Sequence, residues 1–253
     1  VNLNFKSFGT GPALIILHGL FGSLDNWQTL ARRFADRYSV YVIDQRNHGK
    51  SPHSDIMNYP AMAEDLGEFM DQQGITIANL LGHSMGAKTV MQFGNMFPER
   101  ILKMIVADMS PGRYPATHAA ILDALRDFPF GQIRDRKEAE AWLRPKIADS
   151  GTLQFILKNL DKAEAGFQWK FNFPAIDYNY DLIREAIPDE GPAGFPVLFV
   201  RGGKSDYVKD EHMNLIRSMY PNVELRTIAG AGHWIHAEKP DEFAAEVMKF
   251  LNP

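Results

Sequence analysis

The pentapeptide Gly82-His83-Ser84-Met85-Gly86 constrains this chain more than any other stretch. An apolar run over residues 75–81 precedes it and reads as a short buried strand. A helical pattern follows over residues 85–97. A strand that turns straight into a helix puts the turn residue at positive φ, which is strained for anything but glycine. With Gly82 and Gly86 lacking side chains, strand and helix can close around Ser84. The Ser84 hydroxyl is then pushed out at the carboxyl edge of a sheet. The Met85 N–H falls at a helix N-terminus, where unpaired amides and the macrodipole favour developing negative charge. Taken alone, Gly-x-Ser-x-Gly also fits an ordinary glycine-serine turn. The strand before it and the helix after it are what give it chemical meaning.

The rest of the chain supplies a matching frame. From residue 13 to residue 107, buried strands alternate with amphipathic helices, and the alternation resumes at residue 196. Residues 2–8 read as an edge strand and 13–17 as a strand buried on both faces, the habit of parallel sheets. Residues 27–38 form a helix with Trp27, Leu30, Ala31 and Phe34 on one side. Strands follow at 40–43, 101–107, 197–200 and 223–228, and helices at 59–73, 208–219 and 240–251. Pro60 sits near the start of the helix over 59–73, where its missing N–H is harmless.

Between residues 111 and 193 the alternation stops. Helical segments at 116–127, 136–149 and 152–159 are separated by breaks such as Pro129-Phe130-Gly131. Aromatic residues crowd this stretch, from Phe128 to Tyr180. Most are expected to form the core of a small helical layer, with a few at the mouth of an apolar pocket. The expected organisation is a core of residues 1–110 and 194–253, with a mostly helical cap over 111–193.

Composition narrows the function classes. A formal charge of −4 over 253 residues gives no basic stripe for nucleic acid. No apolar run reaches the ~20 residues needed to span a bilayer. There is no cysteine, so disulfides and thiolate metal sites are absent. No signal peptide is visible at Val1, although one could have been trimmed; cytoplasm is the default expectation. Oligomeric state is not readable.

Chemistry-bearing residues gather at the ends of strands. His18-Gly19-Leu20-Phe21-Gly22 follows a buried strand, and its backbone can approach a substrate oxygen closely. The Leu20 N–H is expected to pair with that of Met85 around an oxyanion. His18 and His48 read as loop-bracing residues. Asp108 stands after the strand over 101–107, and Ser205 and Asp206 follow that over 197–200. His233 lies in the loop Gly230-Ala231-Gly232-His233-Trp234 before the last helix. His236, three residues on, reads as structural, because it has no carboxylate at ligand spacing on a shared helix. The order serine, acid, histidine belongs to a nucleophile–acid–base triad, with Asp108 and Asp206 both open as the acid.

These features resemble the α/β-hydrolase superfamily and, within it, the bacterial YbfF-type acyl esterases. The resemblance rests on residues 18–26, on Asp44-x-Arg46-Asn47-His48-Gly49-x-Ser51-Pro52, on residues 57–63 and 82–86, and on Ile228 through Asp241. It spans nearly the whole chain and is weakest in the insertion. It implies an α/β-hydrolase fold, a mostly parallel sheet flanked by helices, with a helical cap. It also implies hydrolysis of small acyl esters or acyl-CoA thioesters, of short to medium chain, through an acyl-enzyme on Ser84. In most of the superfamily the acid follows the strand over 197–200. Aligning on Tyr207-Val208 puts Ser205, not Asp206, at that place. The similar esterases carry the acid one strand earlier, at Asp108, with a serine assisting. Asp108 with auxiliary Ser205 is therefore the expected arrangement, and Asp206 the fallback.

Such chemistry needs neither metal nor organic cofactor. The same elbow also serves perhydrolases and C–C bond hydrolases, among which fold does not choose. Epoxide and haloalkane hydrolases are disfavoured, since they carry aspartate where Ser84 stands. A rival of another class is a non-catalytic small-ligand binding protein on the same scaffold; the intact serine, histidine and acids argue against it.

Overall fold

The computed structural model describes residues 1–163 and 166–252. A seven-stranded sheet runs through its centre, built from β1 (Phe5–Phe8), β2 (Ala13–Leu17), β3 (Ser39–Ile43), β4 (Ala78–His83), β5 (Ile101–Ala107), β8 (Val197–Gly202) and β9 (Val223–Ile228). The spatial order is β1-β3-β2-β4-β5-β8-β9, and every pairing is parallel except that of β1 with β3. The edge strand is shorter than its apolar pattern suggests and begins at Phe5.

Strand residues alternate between two apolar layers. Leu14 and Ile16 of β2, with Leu81 and Ile105, pack against α1 (Gln28–Phe34) and α11 (Pro240–Leu251). Ile15 and Leu17, with Leu80 and Val106, face α2 (Tyr59–Gln72) and α3 (Met85–Met96). Asn58 starts α2 by accepting the Ala61 N–H at 2.9 Å, leaving Pro60 in the first turn. Helix α1 stops at Phe34, four residues before the apolar pattern does. Tyr38 continues that pattern because it turns inward from the following turn, where its hydroxyl donates to Asn252 at 2.7 Å.

The segment between β5 and β8 holds α4 (Ala119–Arg126), α5 (Arg136–Leu143), α6 (Ser150–Lys158), α7 (Phe173–Tyr178) and α8 (Tyr180–Arg184). It also holds an antiparallel pair, β6 (Leu160–Ala163) and β7 (Gly166–Trp169), where the sequence pattern suggests only helices. Most of its aromatic side chains form a local core. Phe128 packs on Phe130, Trp142 and Trp169, and Trp169 stacks on Phe171 at 5.6 Å and 4°. Helix α9 (Met213–Met219) lies between β8 and β9, and the short α10 (Ile235–Glu238) precedes α11. Among the described residues, no helix is long and apolar enough to cross a membrane.

Candidate active site

The chain reverses its direction of travel across the sheet between β2 and β4, the place where open α/β sheets bind ligands. The carboxyl ends of β2, β4, β5, β8 and β9 lead to Leu20, Ser84, Asp108, Ser205 and His233 respectively. Residues scattered over more than two hundred positions are thus delivered to one edge.

Ser84 sits at φ 54° and ψ −115° between β4 and α3. This is strained backbone for a non-glycine residue. The glycines permit it by close approach. A Cβ on Gly82 would lie 2.2 Å from the Gly86 carbonyl oxygen, and one on Gly86 would lie 2.5 Å from that of Leu17. The crossing of β4, α3 and β2 leaves no space for a methyl group at either position.

His233 Nε2 lies 2.9 Å from Ser84 Oγ, and His233 Nδ1 lies 2.8 Å from Asp108 Oδ2. Asp108 is fully buried and itself adopts φ 51°, with its N–H donating to Val200 across to β8 at 2.8 Å. Its carboxylate also accepts the Ser205 hydroxyl on Oδ2 and the Gly202 N–H on Oδ1, the latter at 3.1 Å. Three donors fix the orientation of this carboxylate. Asp206 is turned away. Its side chain is 90% exposed and pairs with Lys209 at 3.2 Å.

Several residues with no role assigned from the sequence hold His233 in place. The buried His83 lies with Nε2 2.9 Å from the His233 carbonyl oxygen, to which it donates. Burial pushes the His83 pKa well below the usual value, so the ring is neutral. Tyr207 stacks on the His233 ring at 4.1 Å and 27°. Glu238 accepts the N–H groups of Gly232 and Trp234, at 2.8 and 3.2 Å, clamping the loop on both sides of the histidine. Only position gave a hint of these roles: His83 lies inside the pentapeptide, and Tyr207 lies two residues after Ser205.

The loop after β2 is braced from beneath. His18 donates from Nδ1 to the Gly19 carbonyl at 2.8 Å and accepts the Gln45 N–H on Nε2 at 3.0 Å. His48 donates to the Arg46 carbonyl at 2.9 Å and accepts the Phe21 N–H at 3.1 Å. Burial lowers their pKa values to about 4 and about 3, so both rings brace as neutral groups. The neighbouring Leu20 N–H makes no hydrogen bond to a described residue. Met85, first in α3, has no intrahelical acceptor for its own N–H. Gly19 packs against Ser84: a Cβ there would sit 3.1 Å from that of the serine.

A cavity of about 210 Å³ opens over Ser84. Leu20, Phe21, His118, Ile121, Phe155 and Tyr207 are among the residues that enclose it. A wider groove of about 1010 Å³ adjoins it, sharing Thr152, Phe155, His233 and Trp234 but not Ser84. His236 is buried and stacks on Trp27 at 4.3 Å and 11°. Among the described residues, no group of three histidine or acidic side chains is placed to hold a metal ion.

Lys88, one turn beyond Ser84 on α3, is fully buried. Its ammonium donates to the carbonyls of Gly112 at 2.6 Å and Glu185 at 2.5 Å, one on each strand of chain joining the β5–β8 insertion to the sheet. Rings of Tyr114 and Tyr59 lie 5.1 and 5.8 Å away. Burial pulls its pKa from 10.5 down to about 7.

The family model described as the alpha/beta hydrolase fold matches residues 12–240. Esterase YbfF of Escherichia coli strain K12 is 38% identical over 242 residues, covering 94% of this chain and 92% of that protein. The sn-1-specific diacylglycerol lipase ABHD11 of Mus musculus is 36% identical over 252 residues, covering 96% of this chain and 81% of that protein. A solved structure described as a marine microorganism esterase superposes with a TM-score of 0.96 at 42% identity, covering 98% of both chains. With its sheet order, its strained serine and these relatives in agreement, the chain belongs to the α/β-hydrolase fold family and is of the YbfF type.

Proposed function

We propose that this protein is a serine hydrolase that cleaves carboxylic esters, and thioesters by the same route, through an acyl-enzyme on Ser84. The single observation that carries the reading is the unbroken relay from Ser84 Oγ through the His233 ring to Asp108, at 2.9 and 2.8 Å. Similarity to proteins named esterase and diacylglycerol lipase supports it.

In this reading Ser84 Oγ attacks the acyl carbonyl while His233 Nε2 takes its proton. Asp108 keeps the proton of His233 on Nδ1 and steadies the imidazolium, with Ser205 assisting. The N–H groups of Leu20 and Met85 receive the oxyanion, each donor contributing about 3–4 kcal/mol of barrier lowering by analogy with measured cases. The carbonyl re-forms, the bond to the alcohol or thiol breaks, and His233 returns its proton to that leaving group. Water then attacks the acyl-enzyme, giving its proton to His233, and Ser84 is released with the acid. Residues 111–193 act as a cap over a core of 1–110 and 194–253, and the modest cavity suits short to medium acyl groups.

The test is covalent. A fluorophosphonate probe labels Ser84, and Ser84→Ala abolishes both labelling and turnover of p-nitrophenyl esters. A folded protein whose Ser84 never labels, and which turns over neither acyl esters nor acyl-CoA thioesters, is a binding protein on a hydrolase scaffold.

A further inference from the structure

On the proposed acyl-enzyme route, His118 bears on which acyl chains the cavity over Ser84 accepts. His118 stands at the start of α4, the first helix of the insertion, and borders the cavity over Ser84. Its surroundings fix the ring. Tyr180, the first residue of α8, brings its hydroxyl to 3.1 Å from the His118 backbone N and 2.9 Å from Nδ1. The backbone N–H donates to that hydroxyl. With one lone pair taken by the backbone N–H, the hydroxyl is assigned here as the donor to Nδ1. Nδ1 is then an acceptor, and the single proton of the neutral ring resides on Nε2. Burial lowers the His118 pKa to about 4, so the ring carries no charge at neutral pH. Phe21 and Tyr114 each meet it edge to face, with centroids 6.3 Å away, and hold the ring plane. Nε2 has no hydrogen-bond partner among the described residues.

The direction of the chemistry says which part of a substrate reaches this ring. His233 hands its proton to the leaving group, so that group departs on the His233 side. The wide groove continues outward from His233 and Trp234, which both cavities share, and does not touch Ser84, so it is assigned to the leaving group. The smaller cavity, bounded by Leu20, Phe21, His118 and Ile121, is left for the acyl chain. Besides Ser84, His83 and His233, the polar groups of its wall are this ring and the hydroxyls of Thr117, Thr152 and Tyr207. The Tyr207 hydroxyl is already engaged by Thr117 at 3.0 Å.

We propose that His118 is a specificity-determining residue whose Nε2–H donates to a neutral oxygen in the acyl chain of the substrate, so that the enzyme favours acyl groups bearing an ether, carbonyl or hydroxyl oxygen over their plain hydrocarbon isosteres. An oriented donor in the cavity wall discriminates once a bound chain shuts out water, because an all-carbon chain then leaves it unpaired, while an oxygen without a donor is stripped of water for nothing. Tyr180 acts through His118 as a positioning residue.

The experiment compares near-isosteric p-nitrophenyl esters: pentanoate against 3-methoxypropanoate, and butanoate against methoxyacetate. The readout is the ratio of kcat/KM for the ether ester over the alkyl ester, normalised to the same ratio in wild type, which cancels intrinsic reactivity. His118→Phe is expected to lower that ratio about tenfold for at least one pair. Tyr180→Phe, which deletes one hydroxyl and frees the ring to choose its tautomer, is expected to lower it by a smaller factor in the same pair. His118→Gln, with a neutral amide donor, is expected to recover part of it. Should His118→Phe fail to melt cooperatively, the Tyr180→Phe ratio decides. Ratios within twofold of wild type in every folded variant and both pairs overturn the proposal. Labelling of wild-type Ser84 by a fluorophosphonate separates that failure from failure of the acyl-enzyme reading itself.

Discussion

Replacing Asp108 by asparagine changes one atom and should nearly silence the enzyme. The carboxylate serves two donors on Oδ2, the His233 Nδ1–H and the Ser205 hydroxyl, and one on Oδ1, the Gly202 N–H. An amide has a single oxygen. If that oxygen turns to Gly202, the amide N–H faces His233 Nδ1 and drives the ring proton to Nε2, where it cannot accept from Ser84. If it turns to His233, two N–H donors collide at Gly202, at a cost of about 1–3 kcal/mol in a fully buried site. Both arrangements also lose the negative charge that steadies the imidazolium. The comparable substitution in a serine protease lowers kcat about 10⁴-fold, which is about 5.5 kcal/mol of barrier, and the same order is expected here. Ser205→Ala removes one of the three donors and should cost about tenfold to a hundredfold, the range of a hydrogen bond to a charged group. Asp206→Asn should stay within twofold, since that side chain is solvated. The assay is steady-state hydrolysis of a p-nitrophenyl ester, with active sites counted by fluorophosphonate titration. If Asp108→Asn keeps a tenth of wild-type kcat while Asp206→Asn collapses, the assignment of the acid is wrong.

Three further outcomes are expected. Gly86→Ala should cost 2 kcal/mol or more of stability, about the range for an overpacked backbone contact, because its Cβ would fall 2.5 and 2.6 Å from the carbonyl oxygens of Leu17 and His18; an unshifted urea midpoint would refute the close-packing argument. Lys88→Met should flatten the pH dependence of stability. The folded-state pKa of about 7 lies below the unfolded value, so the unfolded chain binds more protons above pH 7 and wild-type stability rises from there toward pH 10.5. Wild type should gain about 2–3 kcal/mol on the variant between pH 7 and pH 9.5, at about 1.4 kcal/mol per unit, and parallel urea-derived curves would contradict this. Glu238→Gln loses charge against the Gly232 and Trp234 N–H groups; kcat should fall about tenfold with KM little changed, and a change confined to KM would assign Glu238 to substrate binding instead.

Local motifs were legible because their causes are local. The need for glycine on both sides of Ser84 follows from a strand turning directly into a helix, and β9 and α11 match their apolar patterns residue for residue. The β6–β7 pair was not legible. Its strands are four residues each, and Leu160 and Trp169 are the buried residues among them, too few to set a period of two. Helix α1 misled in the opposite way, since Tyr38 extends the helical apolar period from a turn. Between Asp108 and Asp206 the residues alone left both open, because both follow a strand. Strand order separates them: β5 lies directly between β4 and β8, so an acid at its end stands beside the elbow with Ser205 on its other side. Contacts such as His83 with the His233 carbonyl join residues 150 positions apart, and no local pattern encodes them.

Lys88 has a consequence for how such proteins diversify. One amine on the helix that follows Ser84 grips both ends of the segment between β5 and β8, at Gly112 and Glu185. Whatever lies between those two ends meets the cavity over Ser84 through the same two-point socket. An exchanged insert of different length or shape, grafted at these roots, inherits its alignment with the serine as long as it presents two backbone oxygens to that socket.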